Sequence, residues 1–80
     1  MTRSADTLAV RQILEAALKT SLEGIENPTR AEIQGWDSLT HLEIVFMVED
    51  EFDIRLSEEQ IAELRSLESI VALLGGRHAP

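Results

Sequence analysis

The sequence predicts an all-α fold, a four-helix bundle of three longer helices, one short helix and a long first loop. Two patterns carry that prediction. Apolar residues recur at the three- and four-residue spacing of helices, and β-branched residues do not cluster in the alternating runs that mark strands. A third observation sets the scale: 80 residues make one domain, 1–80, with a modest core, because short chains bury a smaller fraction of their surface. Residues 5–75 are expected to be ordered and residues 76–80 to form a flexible tail. The chain has no cysteine. Neither a disulfide nor a thiolate zinc site can staple it, so aliphatic burial must hold the fold, and the polypeptide has no thiol chemistry of its own.

The first helix is expected over residues 6–22, where Leu8, Val10, Ile13, Leu14, Ala17, Leu18 and Leu22 keep a helical spacing and Ser4 or Asp6 can serve as N-cap. Gly24 is expected to stop it. Glu26-Asn27-Pro28-Thr29 cannot continue it, because the residue before proline is pushed out of the α region. A connection over residues 23–36 follows, and loops of that length either pack on the core or serve function. Ile25, Ile33 and Trp36 are its expected anchors. Trp36 reads as an anchor half-buried against helix ends, with contact to a ligand or partner as the alternative.

The second helix is expected over Ser38–Phe52, with Asp37 as N-cap. At about 100° per residue its apolar residues fall on two faces. His41, Ile44, Val45, Val48 and Phe52 face the core, while Leu39, Leu42 and Phe46 lie nearly opposite, among Glu43, Glu49 and Asp50. An apolar stripe edged with carboxylates reads as a docking face for a basic, hydrophobic surface, because the acidic neighbours are awkward to bury unpaired. Packing of the stripe against the long loop is the alternative. Beyond the connector Asp53-Ile54-Arg55-Leu56, the capping box Ser57-Glu58-Glu59-Gln60 opens a short helix over residues 58–64, with Ile61 and Leu64 inward. Ser66 caps a fourth helix whose buried stripe is Leu67, Ile70, Val71 and Leu74, and Gly75-Gly76 is expected to end it.

The net charge is -8 and the pI about 4.5, which argues against nucleic acid or anionic membrane as partner, since both would repel this surface. No apolar run approaches the length of a membrane span, and no secretory signal pattern opens the chain, so a monomer in the cytoplasm is the expected state. Ser38 stands out as a candidate for covalent modification. It sits just inside a helix start, where side chains are exposed and free backbone N–H groups favour an anion on the hydroxyl.

Gly35-Trp36-Asp37-Ser38-Leu39, followed by Glu43, Phe46, the acidic run Glu49-Asp50-Glu51 and Phe52, resembles the acyl carrier proteins and the related peptidyl carrier domains over nearly the whole chain. The resemblance implies that Ser38, beside Asp37, accepts a 4'-phosphopantetheine arm from coenzyme A through a phosphopantetheinyl transferase. It implies a carrier rather than an enzyme, with acyl or aminoacyl groups held as thioesters on the arm. A chain without cysteine can offer a thioester only if a cofactor supplies the sulfur. By the same resemblance, Leu39, Leu42, Glu43, Phe46, Glu49 and Asp50 meet the partners: an acyl- or aminoacyl-loading ligase or transferase, and ketosynthase or condensation-type enzymes. Ile44, Val48, Phe52, Ile61, Leu67 and Ile70 would bound any space into which an attached chain could fold. The stretch from Gly35 to Leu42, with His41 in it, looks more like free-standing carriers of polyketide, nonribosomal peptide or other specialised acyl pathways. Asp37, where peptidyl carrier domains often have histidine, leans toward an acyl cargo, with an aminoacyl or peptidyl cargo as the alternative.

His41 follows Ser38 by three residues, so its imidazole either approaches a phosphate on Ser38 or is a partly buried helix histidine bonded to the loop. Asp37, Ser38 and His41 do not make a hydrolase triad, because neighbours on one helical turn cannot align nucleophile, base and orienter. Trp36 interrupts the motif of the Gly-Asp-Ser-Leu esterases, and no later Asp-x-x-His supplies their base. The carboxylates from Glu49 to Asp53 lack the alternating ligands and central glycine of an EF-hand loop. A plain helical interaction domain, binding through Leu39, Leu42 and Phe46 alone, is the remaining rival.

Overall fold

The computed structural model describes the backbone of residues 2–77 and the side chains of residues 6–75. Among the described residues four helices follow in order: α1 (Thr2–Leu18), α2 (Ser38–Phe52), α3 (Glu58–Glu63) and α4 (Leu67–Arg77). Among the described residues the only β-type pairing is an isolated antiparallel bridge between Thr29 and Ser66. The all-α architecture is therefore as the sequence predicts, while both ends of α1 and the C-terminal ends of α3 and α4 differ.

Helix α1 lies four residues earlier than expected, so Ser4 and Asp6 fall inside it rather than at its cap. Its stop is not Gly24. Lys19 adopts a left-handed backbone with φ 56°, and the next N–H, of Thr20, donates back to the Glu15 carbonyl at 3.3 Å. That bond pattern closes a helix with a left-handed residue and satisfies an orphan carbonyl. Leu22 leaves the helix yet stays in the core, 1 % exposed.

Helix α2 begins where Asp37, in an extended conformation, accepts the Thr40 backbone N–H at 2.9 Å. It ends as α1 does: Asp53 is left-handed with φ 54°, and both Asp53 and Ile54 donate to the Glu49 carbonyl. Ser57 and Gln60 form the expected reciprocal capping box of α3. Ser66 caps α4 by accepting the Ser69 N–H at 3.0 Å, and Asn27 from the long loop accepts the Glu68 N–H at 2.9 Å. Helix α4 runs through Gly75 and Gly76 to Arg77 instead of ending at the glycines. Gly75 does not take the positive φ that would break the helix, so its cost is only the weaker helix propensity of glycine. The expected flexibility of residues 78–80 lies outside the described residues.

Helix α1 packs against both α2 and α4, and α3 packs against α4. Val10, Ile13 and Leu14 of α1 meet Ile44, Val45 and Val48 of α2 and Leu67, Ile70, Val71 and Leu74 of α4 in one core, joined by Leu22, Trp36 and Leu64. Phe52 and Ile61 pack at its edge. The long loop is pinned rather than free. Arg11 donates to the carbonyls of Leu22 and Glu26, both at 3.0 Å, and buried Pro28 accepts the Leu67 N–H at 2.9 Å. Trp36 is buried more deeply than expected, at 3 % exposure, whereas Ile25, expected as an anchor, is exposed. The loop's backbone is held by Arg11 at that point, so Ile25 is not needed to hold it.

Candidate functional site

Ser38 is the first residue of α2 and is exposed, with no hydrogen-bond partner for its hydroxyl among the described residues. Asp37 makes no hydrogen bond to that hydroxyl. Its carboxylate is turned along the helix to the Thr40 backbone N–H, and that bond, with a further one from the Thr40 hydroxyl, holds the carboxyl below the usual aspartate range. Asp37 therefore stays ionised as a cap. The same helix end presents its first-turn N–H groups and the positive end of the helix dipole beside Ser38, a setting that favours an anion on the hydroxyl.

Behind this surface the junction is braced. The Trp36 indole N–H donates to His41 Nδ1 at 2.9 Å, the two rings lying 6.2 Å apart between centroids, and His41 Nε2 is 2.9 Å from the Ile61 carbonyl. Both imidazole nitrogens are thus engaged inside the protein. That separates the two readings of His41: no nitrogen remains for a phosphate on Ser38, and the ring is a buried helix histidine bonded to the loop. Trp36 likewise serves as a loop anchor, since its ring is buried and its N–H is bonded. Arg30 donates from Nε to the Trp36 carbonyl at 3.3 Å, which places a guanidinium against the segment leading to Ser38. Neither that cation nor the Ile61 carbonyl was visible as part of the site in the sequence, because both reach it across loop and helix boundaries.

The second face of α2 is open. Leu39, Leu42 and Phe46 are 71 %, 47 % and 64 % exposed, and Glu43 and Asp50 are exposed beside them. The stripe does not pack on the long loop. Glu49 stands apart from this group: it is half-buried, and its Oε2 accepts the Leu56 N–H at 2.9 Å, so the carboxylate braces the connector after α2. No helix of the structure is long and apolar enough to cross a membrane, among the described residues.

A family model of the phosphopantetheine attachment site matches residues 9–74, from α1 through α4. Among curated proteins none matches the chain. The residues present fit the prosthetic group: an exposed, unbonded serine hydroxyl at a helix N-terminus suits a phosphodiester, whose charge that end favours. With the fold, the length matched and this chemistry in agreement, the chain belongs to the acyl carrier protein family, whose prosthetic group is covalently attached 4'-phosphopantetheine.

Proposed function

We propose that Ser38 carries the 4'-phosphopantetheine arm and that the chain is a non-catalytic carrier of acyl groups in a specialised pathway, polyketide or related. The observation that carries this reading is the exposed, unbonded Ser38 at the start of α2, next to an uncovered apolar stripe on the same helix. When bound, the arm supplies the thiol on which acyl groups are held as thioesters.

During loading, the Ser38 oxygen bonds to the phosphorus on the pantetheine side of coenzyme A. The pyrophosphate bridge breaks, and adenosine 3',5'-bisphosphate leaves. The hydroxyl proton must pass to a base of the transferase, because Asp37 is committed to Thr40 and His41 to Trp36 and Ile61. The chain's own part is to expose the hydroxyl and to hold the phosphodiester in the field of the helix N-terminus. Leu39, Leu42, Phe46, Glu43 and Asp50 form the face that partner enzymes meet, with apolar contact at the centre and charge steering at the rim. Glu49 contributes charge to that rim while bracing the connector.

Incubation with coenzyme A and a broad-specificity phosphopantetheinyl transferase, followed by intact mass spectrometry, tests the assignment. One phosphopantetheine addition is expected on the wild-type protein and none on Ser38→Ala. Addition to the Ser38→Ala protein, or none to folded wild type, would overturn it.

A further inference from the structure

Three elements meet at one imidazole. His41 lies on the buried face of α2 at 6 % exposure, Trp36 reaches it from the loop two residues ahead of Ser38, and Ile61 meets it from α3. The partners assign the protons. An indole nitrogen can only donate and a carbonyl can only accept, so Nδ1 must hold the lone pair and Nε2 the hydrogen. A proton on Nδ1 would face the indole N–H with a second hydrogen.

Helix α3 needs such a tie. It has six residues, none of them buried, and a helix that short gains little from its own hydrogen bonds. Its packing on the core is limited to the half-buried Ile61 at the core's edge and to Leu64, which follows it and is fully buried. The Ile61 carbonyl belongs to its last turn, where carbonyls lack intrahelical donors. That oxygen takes the Leu64 N–H at 3.3 Å and His41 Nε2 at 2.9 Å, so the shorter of its two bonds comes from another helix.

We propose that His41 is a positioning residue: as the neutral Nε2–H tautomer it fixes α3 relative to the Ser38 end of α2, so that a partner enzyme meets both as one surface. Only the last clause rests on the carrier reading. Two variants separate the two bonds, because the glutamine Nε2 lies as many bonds from Cα as the imidazole Nε2, and the asparagine Oδ1 as many as Nδ1. His41→Gln keeps the donor toward Ile61, and His41→Asn keeps the acceptor for Trp36.

The experiment uses the apo protein labelled with nitrogen-15. The chain has one tryptophan, so a single indole signal reports the Trp36 bond without assignment ambiguity. In wild type, His41 is expected to show a pyridine-type Nδ1 and a pyrrole-type Nε2 near neutral pH; the opposite tautomer overturns the proposal. Backbone amide exchange over residues 60–64 should quicken about tenfold in His41→Asn, as loss of one partly buried hydrogen bond implies, with the indole shift kept. In His41→Gln the indole signal should move while α3 exchange stays near wild type. Equal exchange in the two variants overturns the tether. The KM for phosphopantetheinyl transferase should rise in His41→Asn and not in His41→Gln, with kcat unchanged; KM values alike in both overturn the partner-facing role. Wild type that accepts no phosphopantetheine sinks the carrier reading instead, and the exchange comparison still decides the tether.

Discussion

Glu49 Oε2 accepts the Leu56 N–H at 2.9 Å, seven residues further along the chain, and Glu15 Oε2 accepts the Leu22 N–H at 2.7 Å with the same separation. In each pair the glutamate sits in the last turn of its helix, and its backbone carbonyl also accepts the N–H that follows a left-handed residue. Helices α1 and α2 thus hand over to their connections by one device. A carboxylate beside the exposed apolar stripe of α2 is thereby partly structural.

Charge reversal at Glu43 and at Glu49 should therefore differ. Glu43→Lys is expected to weaken enzyme encounter, more so at low salt, and to leave the urea midpoint unchanged, since rim charges chiefly steer association. Glu49→Lys is expected to cost about 1 kcal/mol of stability as well, through the lost bond to Leu56. Urea titration alongside transfer rates at two ionic strengths checks both; equal midpoints for the two variants would contradict the assignment.

Trp36→Phe keeps an aromatic ring in the core and removes the one donor aimed at His41 Nδ1. A buried acceptor left without its partner costs about 1–3 kcal/mol. Chemical denaturation followed by far-ultraviolet circular dichroism measures this, and the loss should exceed that of the exposed Leu39→Ala.

Asp37 links stability to pH. Its carboxyl is lowered by the Thr40 N–H, so the folded state favours the ionised form. The stabilisation is full above the unfolded value, about 3.9, and is lost as pH falls through the lower folded value. Asp37→Asn retains a capping oxygen without the charge. The melting temperature of wild type should exceed that of Asp37→Asn at neutral pH, and the gap should close on acidification below the folded value. A gap unchanged down to strong acid would show that the charge plays no part.

Gly75→Ala should stabilise the protein by about 0.5–1 kcal/mol. The residue is helical and exposed, has no positive φ, and an added Cβ would meet nothing within 4 Å. Thermal melting provides the measurement. A decrease in stability would mean that α4 is not helical at this point.

Features that depend on near neighbours along the chain are legible in the residues themselves. Asp37 and Ser57 announce the starts of α2 and α3 through side chains that reach only three residues ahead, and helical spacing alone sorts Ile44, Val45 and Val48 inward and Leu39, Leu42 and Phe46 outward. Left-handed stops are different. Lys19 ends α1 through a backbone conformation that its side chain does not signal, so Gly24 was the more legible stop, and Gly75 looked terminal although its backbone stays helical. What each polar group near Ser38 bonds to is set instead by packing between distant segments. His41 finds its acceptor 20 residues away on α3, Glu49 turns to the connector, and Arg30 reaches the Trp36 carbonyl from across the loop. Buried polar groups must find partners wherever packing places them, and that placement is set by the core formed between α1, α2 and α4.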